Sequence, residues 1–360
     1  MKRLFVTDCE GPISRNDNAF ETTAHFVPNG ARLFTVISRY DDVLADITKK
    51  PGHRAGDTLK LVLPFLKAYD ATDEAMHGFS ARNLVLIQGA RDSLDHVRSM
   101  TDAFIVSTSY EHYMKALCLA VNFPFKNVYC TRFRLDKYSI NESEKASLKQ
   151  IAEEIAKLPV FEIPTNVKSL KDLSKEAQNT IQRLDEFFWN RIMHMESGQI
   201  YAEVKSVGGI EKAEAMEKIS SKLNVRLADI MYVGDSITDE EAFKLLRKSG
   251  GLTMSFNGNQ YAVRNADIAI LSENSVVTAI IADLFIRFGK QSALALAENW
   301  SRQTLQESQV SKRLINRLLQ LYPSELPKVS RVTNQNMEDL TDESSEFRKR
   351  VRGEAIGGLG

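Results

Sequence analysis

Cysteine is scarce in this chain. Cys9, Cys118 and Cys130 are the full set, and their spacing fits neither a metal site nor a disulfide framework, which points to a reducing, cytoplasmic setting. Net charge is missing too: Lys+Arg and Asp+Glu both total 47. A chain so balanced lacks the basic footprint of a general nucleic-acid binder. No apolar run approaches the roughly 18 residues needed to cross a bilayer, so no membrane span is expected. The opening is a basic pair and a short run broken by Asp8, too brief for a signal peptide. The six histidines are scattered without ligand spacing, and no internal repeat is visible. What remains is ordinary globular material: 360 residues, 43% hydrophobic and 26% charged, enough for one large domain or two smaller ones.

Short apolar runs at 3–8, 83–88, 103–107, 127–130, 230–235, 252–256 and 267–271 read as buried strands. Helical patterns at 109–121, 211–223, 239–248 and 275–288 lie between several of them. Such alternation predicts an α/β fold, a doubly wound, Rossmann-like parallel sheet, over 1–14 and 83–289. Residues 15–82 interrupt it with largely helical spacing (Leu44, Ile47, Leu59, Leu63, Leu66) and a Pro51-Gly52 break; they are expected to form an inserted, mainly helical cap domain. A second helical insertion, 141–195, is expected to elaborate the core inside a hairpin with flanks near 129–140 and 198–204. Residues 290–322 carry an amphipathic pattern, one or two helices packed on the core or on a partner. From 323 to 360 the chain turns polar, with an acidic run followed by Arg348-Lys349-Arg350. That tail is expected to be mobile, and 291–360 is a possible protein-partner surface.

The chemistry lies at two strand ends. Leu4-Phe5-Val6-Thr7-Asp8-Cys9-Glu10-Gly11-Pro12 and Tyr232-Val233-Gly234-Asp235-Ser236-Ile237-Thr238-Asp239 each deliver acids to a turn. In a parallel sheet such ends line the ligand crevice. Acids from two strand ends can hold one hard divalent cation. A nucleophilic Asp beside that cation suits phosphoryl transfer. If the first strand runs on, Cys9 faces away from both acids and packs in the core.

In these motifs the chain resembles the haloacid dehalogenase superfamily, within it the phosphoserine-phosphatase-like branch. Asp8-Cys9-Glu10-Gly11-Pro12 is similar to the first motif, Phe104-Ile105-Val106-Ser107 to the second, Gly208-Gly209-Ile210-Glu211-Lys212 to the third and Gly234-Asp235-Ser236-Ile237-Thr238-Asp239 to the fourth. The opening also resembles an uncharacterised archaeal subgroup. The resemblance implies a Mg²⁺-dependent phosphatase acting on a small phosphorylated metabolite through an aspartyl-phosphate intermediate. It implies Asp8 as nucleophile, Glu10 as general acid and base, and Lys212 as the residue neutralising nucleophile and phosphate. Ser107 and Thr108 would bind the phosphoryl oxygens. Asp8, Asp235 and the Glu10 backbone carbonyl would hold Mg²⁺, with Asp239 supporting. Glu10 departs from the family's usual Asp. Its extra methylene shifts the proton by about a bond length, and errors of that size cost roughly 10²-fold. The alternative is therefore a weak or inactive relative with a regulatory or partner-binding role.

Overall fold

The computed structural model describes residues 2–164 and 167–358. Met1, residues 165–166 of the second insertion, and Leu359 and Gly360 at the end of the expected tail lie outside the described residues.

Seven strands form one sheet: β1 (Leu4–Thr7), β2 (Ala103–Tyr110), β3 (Val128–Thr131), β4 (Ile230–Gly234), β5 (Leu252–Phe256), β6 (Ile268–Leu271) and β7 (Lys328–Arg331). Their spatial order is β3-β2-β1-β4-β5-β6-β7. All neighbouring pairs are parallel except β6–β7. The apolar runs are continuous rather than alternating because both faces are covered. Leu4, Val6, Phe104, Val106, Ile230 and Tyr232 point into one apolar layer, under the helices Gly209–Leu223 and Glu240–Lys248. Phe5, Ala103, Ile105, Met231, Val233 and Met254 point into the opposite layer, under the helices Ala90–Met100, Glu111–Ala120 and Val276–Phe288. From β1 the chain winds outward to β2 and β3; from β4 it winds the other way to β5 and β6. The switch point lies between β1 and β4, where ligands bind in such sheets.

Several expectations change. Residues 83–88 form no strand: the helix Asp73–Asn83 runs into them, and only isolated bridges at Leu86 and Gln88 follow. The second insertion does not sit inside a hairpin. Its flanks are a short 3₁₀ turn, Leu135–Lys137, and a helix, Gln199–Glu203. That helix buries Ile200 and Tyr201 in the same apolar cluster as Leu33, Val36, Ile37, Leu63 and Phe65 of the first insertion and Leu148, Ile151 and Phe188 of the second. The two insertions thus share one core. Polar ties reinforce it: Tyr40 Oη donates to Asp185 Oδ1 at 2.5 Å, Trp189 Nε1 donates to Tyr40 Oη at 2.7 Å, and Arg32 reaches the Leu158 carbonyl at 2.9 Å.

The amphipathic extension is three helices, Lys290–Glu298, Arg302–Glu307 and Lys312–Leu321. Leu294, Leu305, Leu314 and Leu318 close over the sheet's apolar layer. The segment expected to be mobile is instead ordered structure. It supplies edge strand β7 and the helix Met337–Arg352, and Val329 and Val351 join the core. A polar sequence was a poor guide because one narrow face (Leu340, Thr341, Ser344, Arg348, Val351) does the burying. Among the described residues no helix is long and apolar enough to cross a membrane.

Candidate active site

Parallel pairing of β1 with β4 (Thr7 opposite Val233) sets Asp8 beside Asp235 just past the strand ends. The Asp8 backbone N–H donates to the Val233 carbonyl at 2.7 Å, fixing this alignment. Gly11 follows in a left-handed turn (φ 99°), and a Cβ there would fall 2.3 Å from the Asp235 carboxyl. Only glycine meets both conditions.

Lys212 rises from the first turn of the helix Gly209–Leu223 and is fully buried. Its Nζ donates to Asp8 Oδ2 at 2.5 Å and to Asp239 Oδ1 at 2.7 Å. Gly208, at that helix's N-terminus, lets the cap loop approach: a Cβ there would lie 2.4 Å from the Ala55 carbonyl. Asp239 has no spare capacity. Its Oδ1 also accepts from Tyr232 Oη at 2.5 Å, and its Oδ2 accepts the backbone N–H groups of Asp235 and Ser236 at 2.8 and 3.0 Å. It orients Lys212 and the β4 turn. Burial and then Lys212 act on Asp8 in opposite senses; burial wins and pushes its carboxyl up to about 7. Burial alone would lower Lys212, but Asp239 and Asp8 hold it above the ordinary lysine range, so it stays charged. Asp239 is buried as well, yet Lys212 keeps it below the usual carboxylate range.

Glu10 lines the pocket with Asp8 and Asp235. One of its oxygens accepts the Asn18 backbone N–H at 2.6 Å, tying it to the start of the cap. Burial, followed by the Asp17 charge, pushes its carboxyl well above the usual range. Cys9 packs into the sheet's core, although β1 ends at Thr7. Thr108 lines the pocket, but Ser107 does not. Strand β2 continues through 107 to Tyr110, and the Ser107 Oγ donates to Ser109 Oγ at 3.0 Å while accepting the Ser109 N–H at 3.2 Å. Ser107 is therefore satisfied within its own strand.

The cap contributes Phe34, Ser38, Asp41, Asp42, Gly56 and Thr58 to the pocket, which encloses about 100 Å³. Asp41 is braced by His53 Nε2 at 2.5 Å and by the Gly56 N–H at 3.0 Å. The C-terminal helix adds Arg348 and Arg352. These residues were missed. Their spacing, one helical turn apart beyond an acidic run, was the available signal, and the stretch read as a mobile tail.

An oxygen-only donor set suits a hard divalent cation. Asp8, Asp235 and Asp239 each offer an oxygen, all within 4.8 Å of one another. Asp239 is already saturated, so Asp8, Asp235 and the Glu10 carbonyl, which accepts from no described backbone donor, are the residues that fit the ion.

A family model described as haloacid dehalogenase-like hydrolase matches residues 99–282. Gene product AF1437 from Archaeoglobus fulgidus, a solved structure, is similar at 27% identity and a TM-score of 0.79, over 100% of this chain and 99% of its own. Structures titled phosphoserine phosphatase, apo and substrate-bound, align at 14% and 13% identity with TM-scores of 0.40 and 0.43, over 76% of this chain; nothing about this chain's substrate follows from likeness that weak. None of the curated proteins matches the chain.

Proposed function

The chain belongs to the haloacid dehalogenase-like hydrolases, and from that premise we propose a Mg²⁺-dependent phosphatase that cleaves a small phosphoric monoester through an aspartyl-phosphate. The observation that carries this reading is the fully buried Lys212 joined to Asp8 at 2.5 Å and Asp239 at 2.7 Å, at the sheet's switch point. A charged lysine costs too much to bury without purpose or partners; here it neutralises a nucleophile and the phosphoryl oxygens beside it.

In the first step an Asp8 carboxylate oxygen forms a bond to phosphorus, and the ester P–O bond breaks. Glu10 gives its proton to the departing oxygen. Burial, followed by the Asp17 charge, raises its pKa, which favours the protonated form that this role needs. In the second step Glu10, now ionised, accepts a proton from water. The water oxygen bonds phosphorus, the Asp8–phosphorus link breaks, and phosphate leaves. Lys212 stabilises charge in both steps, and the Thr108 side of the pocket orients the phosphoryl group. When bound, Mg²⁺ would offset charge on the phosphoryl oxygens. The cap residues over the pocket, Phe34, Ser38, Asp41 and the loop at Gly56, support a small substrate.

The test is phosphate release from a panel of small phosphomonoesters with Mg²⁺ and with chelator. Glu10→Gln should slow turnover by about 10²-fold or more, and Glu10→Asp should retain or raise it. If Glu10→Gln turns over like wild type, the proton comes from another group. A protein that releases no phosphate from any ester, in wild type and in Glu10→Asp alike, would instead support a regulatory role.

A further inference from the structure

Arg348 and Arg352 do something at this site that the reaction above leaves unused. Both side chains are buried on the helix Met337–Arg352, and both converge on one atom, Asp235 Oδ2. Arg352 Nη1 donates to it at 3.0 Å, and Arg348 Nη1 donates to it and to the Asp235 carbonyl, the latter at 3.1 Å. Arg352 also donates through Nε to the Arg15 carbonyl at 3.1 Å, and through Nη2 to the Asn16 carbonyl. The helix that carries them is anchored. Ser344 Oγ donates to the Gly258 carbonyl at 2.7 Å, Val351 sits in the sheet's core, and Leu340 packs with Val263 and Ala269. The two positive charges are fixed parts of the site wall.

Asp235 Oδ1, by contrast, accepts no hydrogen bond among the described residues, while Asp235 lines the pocket. A divalent cation on Oδ1 would share one carboxylate with two guanidinium groups. Like charges so close repel by an energy that corresponds to orders of magnitude in affinity, even at an effective dielectric near 20. A competing effect runs the other way, since hydrogen bonds that orient a ligating carboxylate can raise affinity about 10- to 100-fold. The main chain of Asp235 is held without the arginines, so their removal frees only the carboxylate's own rotation. Its N–H donates to Asp239 Oδ2 at 2.8 Å, its carbonyl accepts from the Asn259 N–H at 2.9 Å, and Gly11 packs directly against its carboxyl. Repulsion therefore outweighs positioning.

We propose that Arg348 and Arg352 are a cationic brake on Asp235, built into the C-terminal helix, that holds the divalent-cation affinity of the site low. The inference rests on the reading of Asp235 as a cation ligand. Mn²⁺ binding to the full-length, metal-free protein, followed by electron paramagnetic resonance, tests it without any turnover. The double variant Arg348→Gln/Arg352→Gln should bind Mn²⁺ at least about tenfold more tightly than wild type. Arg348→Lys/Arg352→Lys keeps both charges and should stay within about threefold of wild type. Asp235→Asn should lose the site. Unchanged or weaker binding by the double Gln variant, with Asp235→Asn still abolishing binding, overturns the brake alone. Undiminished binding by Asp235→Asn overturns the ligand reading beneath it. Should the double Gln variant not fold, the single variant Arg352→Gln decides: it should bind Mn²⁺ at least about threefold more tightly than wild type, and binding equal to or weaker than wild type overturns the brake.

Discussion

Asp8 and Asp235 end adjacent parallel strands, yet their surroundings are opposite in sign. Asp8 shares a single cation, Lys212, with a second acid, Asp239. Asp235 receives two cations on one oxygen. The Asp8 side of the pocket is thus short of positive charge, and burial lifts Asp8 to about 7 despite Lys212. The Asp235 side has positive charge in excess. The balance at Asp8 comes from residues within the superfamily's motifs; that at Asp235 comes from 113 and 117 residues further along the chain. Two motifs that look alike on the page are therefore not interchangeable in the folded protein. One carboxylate shares a lysine with a second acid, and the other faces two arginines.

The sharpest way to break the comparison is to neutralise one acid at a time. Asp8→Asn should lower phosphate release by at least about 10³-fold, as expected when one member of a catalytic unit is lost, with the unfolding transition preserved. Undiminished turnover in this variant would sink Asp8 as nucleophile. Next in size is Lys212→Met. It leaves Asp8 and Asp239 buried without their shared cation, and should cost about 3–5 kcal/mol of stability in urea unfolding. A midpoint equal to wild type would mean that Lys212 does not hold the charge balance on the Asp8 side. Gly11→Ala probes the contact with the other acid. The left-handed φ and the 2.3 Å approach to Asp235 should together cost roughly 1–3 kcal/mol. A stability within about 0.5 kcal/mol of wild type would show that the turn can yield.

The dependence of stability on pH tests the buried acids together. Burial, chiefly, raises Asp8, Glu21 and Asp42 each to about 7 in the folded protein. The unfolded chain releases these protons near pH 4, whereas the native state keeps them to about 7. The native state binds more protons in that window, so stability falls as pH rises from about 4 to about 7. Urea unfolding at pH 5 and at pH 7.5 should show it, and Asp8→Asn should flatten the slope by Asp8's share. An identical slope in that variant would remove Asp8 from the set.

Several features were legible because their physics is local. The strands of the core could be read as apolar runs because each is sandwiched between two helical layers. Asp8, Lys212, Asp235 and Asp239 could be read because each sits where a strand or helix begins or ends, and the fold brings such ends to one crevice. Ser107 illustrates the limit. Its motif was visible, but its hydroxyl is satisfied by Ser109 two residues on, which depends on the strand continuing further than its apolar run suggested.

By itself, then, the sequence determined six of the sheet's strands, β1 to β6, the order of its motifs and the acids at its switch point, because strand periodicity and strand-end chemistry act over a few residues. Tertiary structure decided what depends on distant partners. It merged two insertions into one cap core, since neither Leu33, Val36 and Ile37 nor Leu148, Ile151 and Phe188 can be buried without the other set. It turned a polar tail into a wall of the site, since the burial of Ser344, Arg348 and Val351 along one helical face shows only against the surface that receives it. The partners of the Asp235 carboxylate are set there, by guanidinium groups that reach it because of where the helix docks and not because of the residues beside them.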